Sequence, residues 1–101
     1  MKIVSLAEAP KVPLNLEGYI MHSSLSLEVV HLCLQPGQDI PQHVNTFDVV
    51  ACLIKGNVSL NTGENKTRLA LYDMVEIEKN ADRGFENSGT DEARLLILKK
   101  L

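Results

Sequence analysis

The stretch Leu32–Gly56, LCLQPGQDIPQHVNTFDVVACLIKG, decides the fold. It holds a Pro36-Gly37 turn, the histidine best placed to serve a site (His43), and the longest apolar run of the chain, inside Val49–Lys55. A Pro-Gly pair ends an extended segment because proline removes a ladder donor and glycine supplies turn conformations closed to other residues. Before that turn, Leu27–Leu34 (LEVVHLCL) is β-branched and apolar and reads as a strand. The two-residue period of a strand puts Val30, Leu32 and Leu34 on one face and Val29, His31 and Cys33 on the other. Both faces are mostly apolar, so this strand is expected to be covered on both sides. After the turn, Asp39–His43 is extended with Pro41 marking an edge, and Val49–Lys55 is a buried strand closed by Gly56-Asn57.

Outward from this centre the chain alternates short extended runs with turn residues. Towards the C-terminus come Val58–Leu60, a hairpin over Thr62–Asn65, a return over Thr67–Leu71, then Met74–Ile77, Phe85–Asn87 and Ala93–Lys100 (ARLLILKK). Towards the N-terminus, Tyr19–His22 is a lead-in strand. Residues 7–18, interrupted by Pro10 and Pro13, read as an irregular arm, and Ile3–Leu6 as a short first strand. Eight or more short strands with Gly, Pro and Asn punctuation and no competing helical period predict an all-β sandwich or barrel with little or no helix.

At 101 residues the chain is one domain, and its 45% hydrophobic content is enough to fill a core and leave an apolar face for a partner. A net charge of −3 with 4% aromatic residues argues against nucleic acid, which needs a basic footprint and stacking rings. No apolar run approaches the ~20 residues of a membrane span, and the start MKIVSLAEAPKV lacks a signal-peptide core. Cys33 and Cys52 each lie within an apolar strand, and their spacing excludes a Cys-x-x-Cys metal pair. Both are expected to be reduced, buried small hydrophobes in a cytoplasmic protein.

Two sets of residues share a spacing. Gly37, five residues, His43-Val44-Asn45, three residues, Val49, six residues and Gly56 form the first; Tyr72, five residues, Glu78-Lys79-Asn80, two residues, Arg83, three residues and Asn87 form the second. Fifteen residues separate them. These sets resemble the two motifs of the small bacterial cupins: G, five residues, H-x-H, three or four residues, E, six residues, G, and then G, five residues, P-x-G, two residues, H, three residues, N. The resemblance covers residues 30–100 and implies a jelly-roll, double-stranded β-helix barrel preceded by an arm and lead-in strands over residues 1–26. Asn80 stands where the family has glycine, as the residue that next best tolerates a left-handed turn. Tyr72, also at a glycine place, implies a wider turn.

In metal-binding cupins the first motif gives two histidines and a glutamate, and the second a third histidine. His43, Asn45, Val49 and Arg83 stand at those places here. A divalent transition metal needs about three good donors; valine offers none, an asparagine oxygen is weak and arginine repels a cation. The usual metal site is therefore expected to be absent. Asp48, one residue before the glutamate place, faces the other way on a regular strand and needs a bulge to turn inward. A metal held by His43 with His31 or Asp48 stands as a second reading, with His22 a further possible donor.

The resemblance also implies that His43, Asn45 and Arg83 point into one cavity, where a cation, an imidazole and an amide suit a small anion or a carboxylate- or hydroxyl-bearing metabolite. The competing reading turns Arg83 outward to pair with Asp82 or Glu86. No catalytic residues are legible: Asp73, Glu76 and Glu78 read as a solvated strand edge, and neither cysteine has a nucleophile's surroundings. The expected protein is a homodimeric cupin that binds a small molecule or serves a regulatory or structural role. The alternative is an isomerase or dioxygenase of the cupin type with a rearranged metal site.

Overall fold

The computed structural model describes residues 1–101. Nine strands follow one another: β1 (Glu17–Ser23), β2 (Leu27–Leu34), β3 (Asp39–His43), β4 (Asp48–Lys55), β5 (Val58–Thr62), β6 (Asn65–Leu69), β7 (Met74–Ile77), β8 (Arg83–Glu86) and β9 (Ala93–Lys100). They form a five-stranded sheet in the order β1-β2-β9-β4-β7 and a four-stranded sheet in the order β3-β8-β5-β6, with every pairing antiparallel. No element is a helix, and no helix is long and apolar enough to cross a membrane.

The two most apolar strands flank the last one. β9 pairs with β2 from Leu27↔Lys100 to Leu34↔Ala93, and on its other side with β4. Alternation then stacks Val30, Ile97 and Ala51 in one inward row and Leu32, Leu95 and Leu53 in the next. Phe85, Val58 and Leu69 of the smaller sheet close over them, completing a core of 13 buried residues. Gly56 holds φ +76° in the turn after β4, and a Cβ there would lie 2.5 Å from the Glu92 carbonyl, so only glycine fits.

The inner face of β2 is sealed, but its outer face is only partly covered: Val29 and His31 are half-buried, while Cys33 has no exposure. The expected cover on both sides is thus complete at one end of the strand only. Cys33 and Cys52 are free thiols. With β9 between their strands and a two-residue offset along it, they are farther apart than two strand spacings, about 9.6 Å, and beyond disulfide reach.

Three expectations need correction. Ile3–Leu6 is not a strand: Pro10, Lys11 and Val12 already bond the outer edge of β1, and the segment leads into a turn in which Glu8 and Ala9 both donate to the Ser5 carbonyl. The arm is not irregular throughout, because Lys11 bridges Tyr19, the Val12 N–H donates to the Gly18 carbonyl at 3.0 Å, and Glu17 and Gly18 already belong to β1. Tyr72 does not widen its turn. It adopts the left-handed conformation itself, at φ 71°, while its N–H donates to the Leu53 carbonyl at 2.8 Å. Asn80 does the same at φ 68°, as its residue type led one to expect.

Candidate functional site

Inward-facing residues change character towards one end of the barrel. One row beyond Val30 and Ile97, the large sheet presents Glu28 and Lys99 to the interior, bonded to each other at 3.2 Å. Opposite them the small sheet presents His43 and Arg83, which are register partners on β3 and β8. Asn45 joins from the segment after β3. Together with Val49 and the arm residues Val12, Pro13 and Leu14 they border a cavity of about 230 Å³ lined by 15 residues, nine of them hydrophobic.

The backbone that sets these side chains is shaped by small local features. Pro41 interrupts the ladder, and the register of β3 on β8 shifts between Ile40 and His43. Gly84 lets the two strands press together, since a Cβ there would collide with the Ile40 carbonyl and lie 2.8 Å from the Gln42 nitrogen. The left-handed Asn80 donates its N–H to the Asn45 carbonyl at 2.7 Å, holding the turn that leads into Arg83 against the segment that carries Asn45.

Arg83 is 4% exposed, so the outward ion pair with Asp82 or Glu86 does not form; Glu86 pairs with Lys66 at 2.6 Å instead. Its Nη1 donates to the His43 carbonyl at 3.2 Å. With the Asn45 amide oriented as hydrogen bonding requires, the Asn45 oxygen accepts from Arg83 Nη2 at 2.7 Å and the amide nitrogen donates to the Val44 carbonyl at 3.3 Å. The Arg83 Nε–H is buried with no partner. Burial lowers the guanidinium pKa, and the charge of exposed Asp82 works in the opposite direction. Arginine nonetheless stays protonated in proteins, so a buried cation here has only neutral groups bonded to it. His43 lies at the exposed rim and its Nδ1 donates to the Pro41 carbonyl at 2.9 Å, which leaves Nε2 as the nitrogen available to a ligand.

The three sequence-predicted residues therefore meet at one cavity, whereas the alternative metal ligands do not. His31 lies on the outer face of β2, its Nε2 3.0 Å from Arg94 Nη1. Desolvation chiefly, with Arg94 beside it, lowers its pKa. Asp48 stays outside and accepts the Lys79 N–H at 2.8 Å, so no bulge turns it inward. His22 is exposed on β1. No three His, Cys, Asp or Glu side chains cluster in a way that could hold a metal ion. At the four family positions the donors are one imidazole, one amide, a valine and a cation, a set that does not fit a divalent metal.

A second polar cluster, on the outside of the large sheet, was not foreseen. Glu92 receives both Arg94 Nε and Nη2 at 3.1 Å, Lys55 at 2.9 Å and the Cys33 thiol at 3.0 Å. The Arg94 bonds, then those from Cys33 and Lys55, hold its carboxyl well below the usual carboxylate range. Burial, then the bond to Glu92, pushes the Cys33 thiol up to about 11, the opposite of an activated nucleophile. Asn87 is also fully engaged: its amide nitrogen donates to the Leu34 and Asp91 carbonyls at 2.9 and 2.8 Å, and its oxygen accepts the Gly89 N–H at 3.0 Å. It fixes the β8–β9 turn to the end of β2. The mouth pair was legible in principle, since Glu28 and Lys99 continue the inward stripes of their strands with opposite charges.

No protein-family model and no curated protein sequence matches the chain. Solved structures match it over nearly its full length. A conserved protein with a double-stranded beta-helix domain from Klebsiella pneumoniae superposes at TM-score 0.82 with 23% identity, over 99% of this chain and 90% of that one. A Cupin 2 conserved barrel domain protein from Salinispora arenicola gives 0.82 with 11% identity, over 100% and 87%. The chain has the cupin fold. The polyketide cyclase RemF from Streptomyces resistomycificus shares this cupin-like shape at TM-score 0.86 and 12% identity, over 99% of this chain and 79% of its own. Identities this low carry the barrel across and nothing of the chemistry.

Proposed function

We propose that the protein binds a small organic anion in the barrel mouth, through Arg83 with Asn45 and His43 beside it, as a binding or regulatory protein of the cytoplasm rather than an enzyme. One observation carries the reading: Arg83 is buried to 4% exposure at the cavity wall, without a bonded carboxylate and with its Nε–H unpartnered. An isolated cation away from water costs several kcal/mol by order of magnitude, and an anion in the cavity offsets that cost. Binding on this reading needs no transition metal. A native mass spectrum and elemental analysis of protein purified without chelators test it. The expected result is a small anionic adduct that exchanges with added organic acids, and metal below stoichiometry. Stoichiometric zinc, nickel or iron would overturn it in favour of an isomerase or dioxygenase with a rearranged site.

The reading includes a homodimer, supported by the outer face of the large sheet. Val29, Leu98 and Val50 stand side by side across three strands, and Leu96, Cys52 and Met74 in the next row, with Met74 61% exposed. A contiguous outward apolar strip of this kind fits a second copy stacked face to face. Light scattering is expected to give twice the 11.2 kDa chain mass; a monomer at working concentrations removes this part.

A further inference from the structure

The charge and shape of the mouth narrow the ligand further. Three ionised side chains line it: Arg83, Lys99 and Glu28. Lys99 is already matched by Glu28 at 3.2 Å, so the wall carries one uncompensated positive charge, in a protein whose formal net charge is −3. Of the five N–H donors of Arg83, two are used, by the His43 carbonyl and the Asn45 oxygen, and the Nε–H is buried, which leaves one N–H on each of Nη1 and Nη2. One free cation with spare donors on a planar fork matches the two oxygens of a single carboxylate. A phosphate monoester, at about −1.5 to −2 with three acceptor oxygens, or a dicarboxylate would bring a second charge with no cation to meet it.

The rest of the wall specifies the rest of the ligand. Phe85 lies two residues from Arg83 on the same inward face of β8, and the surfaces beyond it are Ile40, Val30, Leu32 and Ile97. A volume of about 230 Å³ is the room of seven or eight waters at roughly 30 Å³ each. That matches a carboxylate with a body of about four to six carbons, and falls below the ~300–1,000 Å³ usual for drug-sized ligands.

We propose that the barrel mouth takes a small monocarboxylate, its carboxylate on Arg83 and its apolar body against Phe85, Val30 and Ile97. This rests on the anion-binding reading above and adds the ligand's charge and its apolar tail. Lys99 and Glu28 form a neutral rim that excludes a second ligand charge, and the arm residues Val12, Pro13 and Leu14 shield the tail from water.

The test is a titration of the wild-type protein, followed by amide NMR shifts, with hexanoate, acetate, succinate, inorganic phosphate and the uncharged hexanol. Hexanoate is expected to move the resonances of Arg83, Phe85 and Ile97 and to bind about tenfold or more tighter than any other member of the series. Arg83→Met is expected to lose hexanoate binding by about tenfold or more, and Arg83→Lys, which keeps the charge but not the fork, to lose part of it. Succinate or phosphate binding more tightly than hexanoate would overturn the monocarboxylate and leave the anion-binding reading standing. Hexanol binding as well as hexanoate, with Arg83→Met unaffected, would overturn both, as would no response to any compound at millimolar concentration. The ligand series on the wild type decides the matter even if a variant does not fold.

Discussion

Arg83 and Arg94 are both largely shielded arginines on strands of one barrel, and they are handled in opposite ways. Arg94 grips Glu92 with two bonds of 3.1 Å, has Glu17 at 3.5 Å, and meets His31 at 3.0 Å. Glu92 in turn collects Lys55 and the Cys33 thiol. Arg83 is more deeply buried, yet its bonds go only to a backbone carbonyl and an amide. A closed network adds rigidity and asks nothing of a ligand. An open cation on a cavity wall leaves stability unrealised until an anion arrives. The contrast separates the part of the molecule that holds the fold from the part available for binding.

The sharpest way to probe the closed side is Asn87, the most completely satisfied buried polar side chain. Asn87→Ala removes three hydrogen bonds to three separate backbone groups. The expected cost is about 3 kcal/mol at roughly 1 kcal/mol per bond, read from urea unfolding. Loss of under 1 kcal/mol by that estimate would mean that water replaces these bonds freely. Next comes the arginine pair itself. Arg94→Met takes two bonds from Glu92, leaving it Lys55 and the Cys33 thiol, and is expected to destabilise on the order of 1 kcal/mol, as for a partly exposed ion pair. Arg83→Met removes an unmatched buried charge and is expected to be neutral or stabilising by about 1 kcal/mol. Equal losses in both variants would erase the distinction.

A smaller effect concerns strain on the rim of neither site. Tyr72 sits at φ 71° and 71% exposure, where its side chain contributes little packing. Left-handed strain of about 1–2 kcal/mol, less the entropic penalty of glycine of about 0.5–1 kcal/mol, leaves Tyr72→Gly more stable by roughly 0.5–1 kcal/mol. A destabilised variant would show that Tyr72 makes contacts worth more than its strain.

The smallest expected effect is a pH dependence. The folded state depresses the Glu92 pKa below its ordinary 4.5, so the stability this provides is present above pH 4.5 and is lost as pH falls through the folded value. Wild-type unfolding midpoints should therefore decline more steeply below about pH 4.5 than those of Glu92→Gln. Parallel profiles would show that the cluster is too well solvated to matter.

Much of the fold was legible because it rests on short-range rules. Leu27–Leu34 and Ala93–Lys100 carry unbroken apolar patterns, and their observed bounds coincide with the expected ones. Gly37, Gly56 and Asn80 all hold positive φ where turn chemistry called for it. Ile3–Leu6 is no strand because a β-like composition pairs only beside a free edge, and Pro10, Lys11 and Val12 already bond the edge of β1. Tyr72 was misread because its backbone is held by the Leu53 carbonyl and by the bond from Leu53 N–H to the Asp73 carbonyl, both set by tertiary structure.

Of the site, the motif spacing brought out His43, Asn45 and Arg83, and all three line the cavity. It could not decide which way Arg83 turns, since a loop arginine beside Asp82 and ahead of Glu86 has local partners on paper. The outer cluster was invisible for a plainer reason: Cys33 and Glu92 are 59 residues apart in sequence and meet only because β2 and β9 pair.

The central claim is that Arg83 is a buried cation kept open for an anionic ligand, and unfolding by urea with and without hexanoate tests it most directly. Without ligand, Arg83→Met should be at least as stable as the wild type. With hexanoate at about 100 times its wild-type dissociation constant, the wild type should gain about 2.7 kcal/mol and the variant, binding tenfold or more weakly, about 1.4 kcal/mol or less. A variant that is several kcal/mol less stable without ligand, together with hexanoate that stabilises neither protein or both alike, would contradict the account.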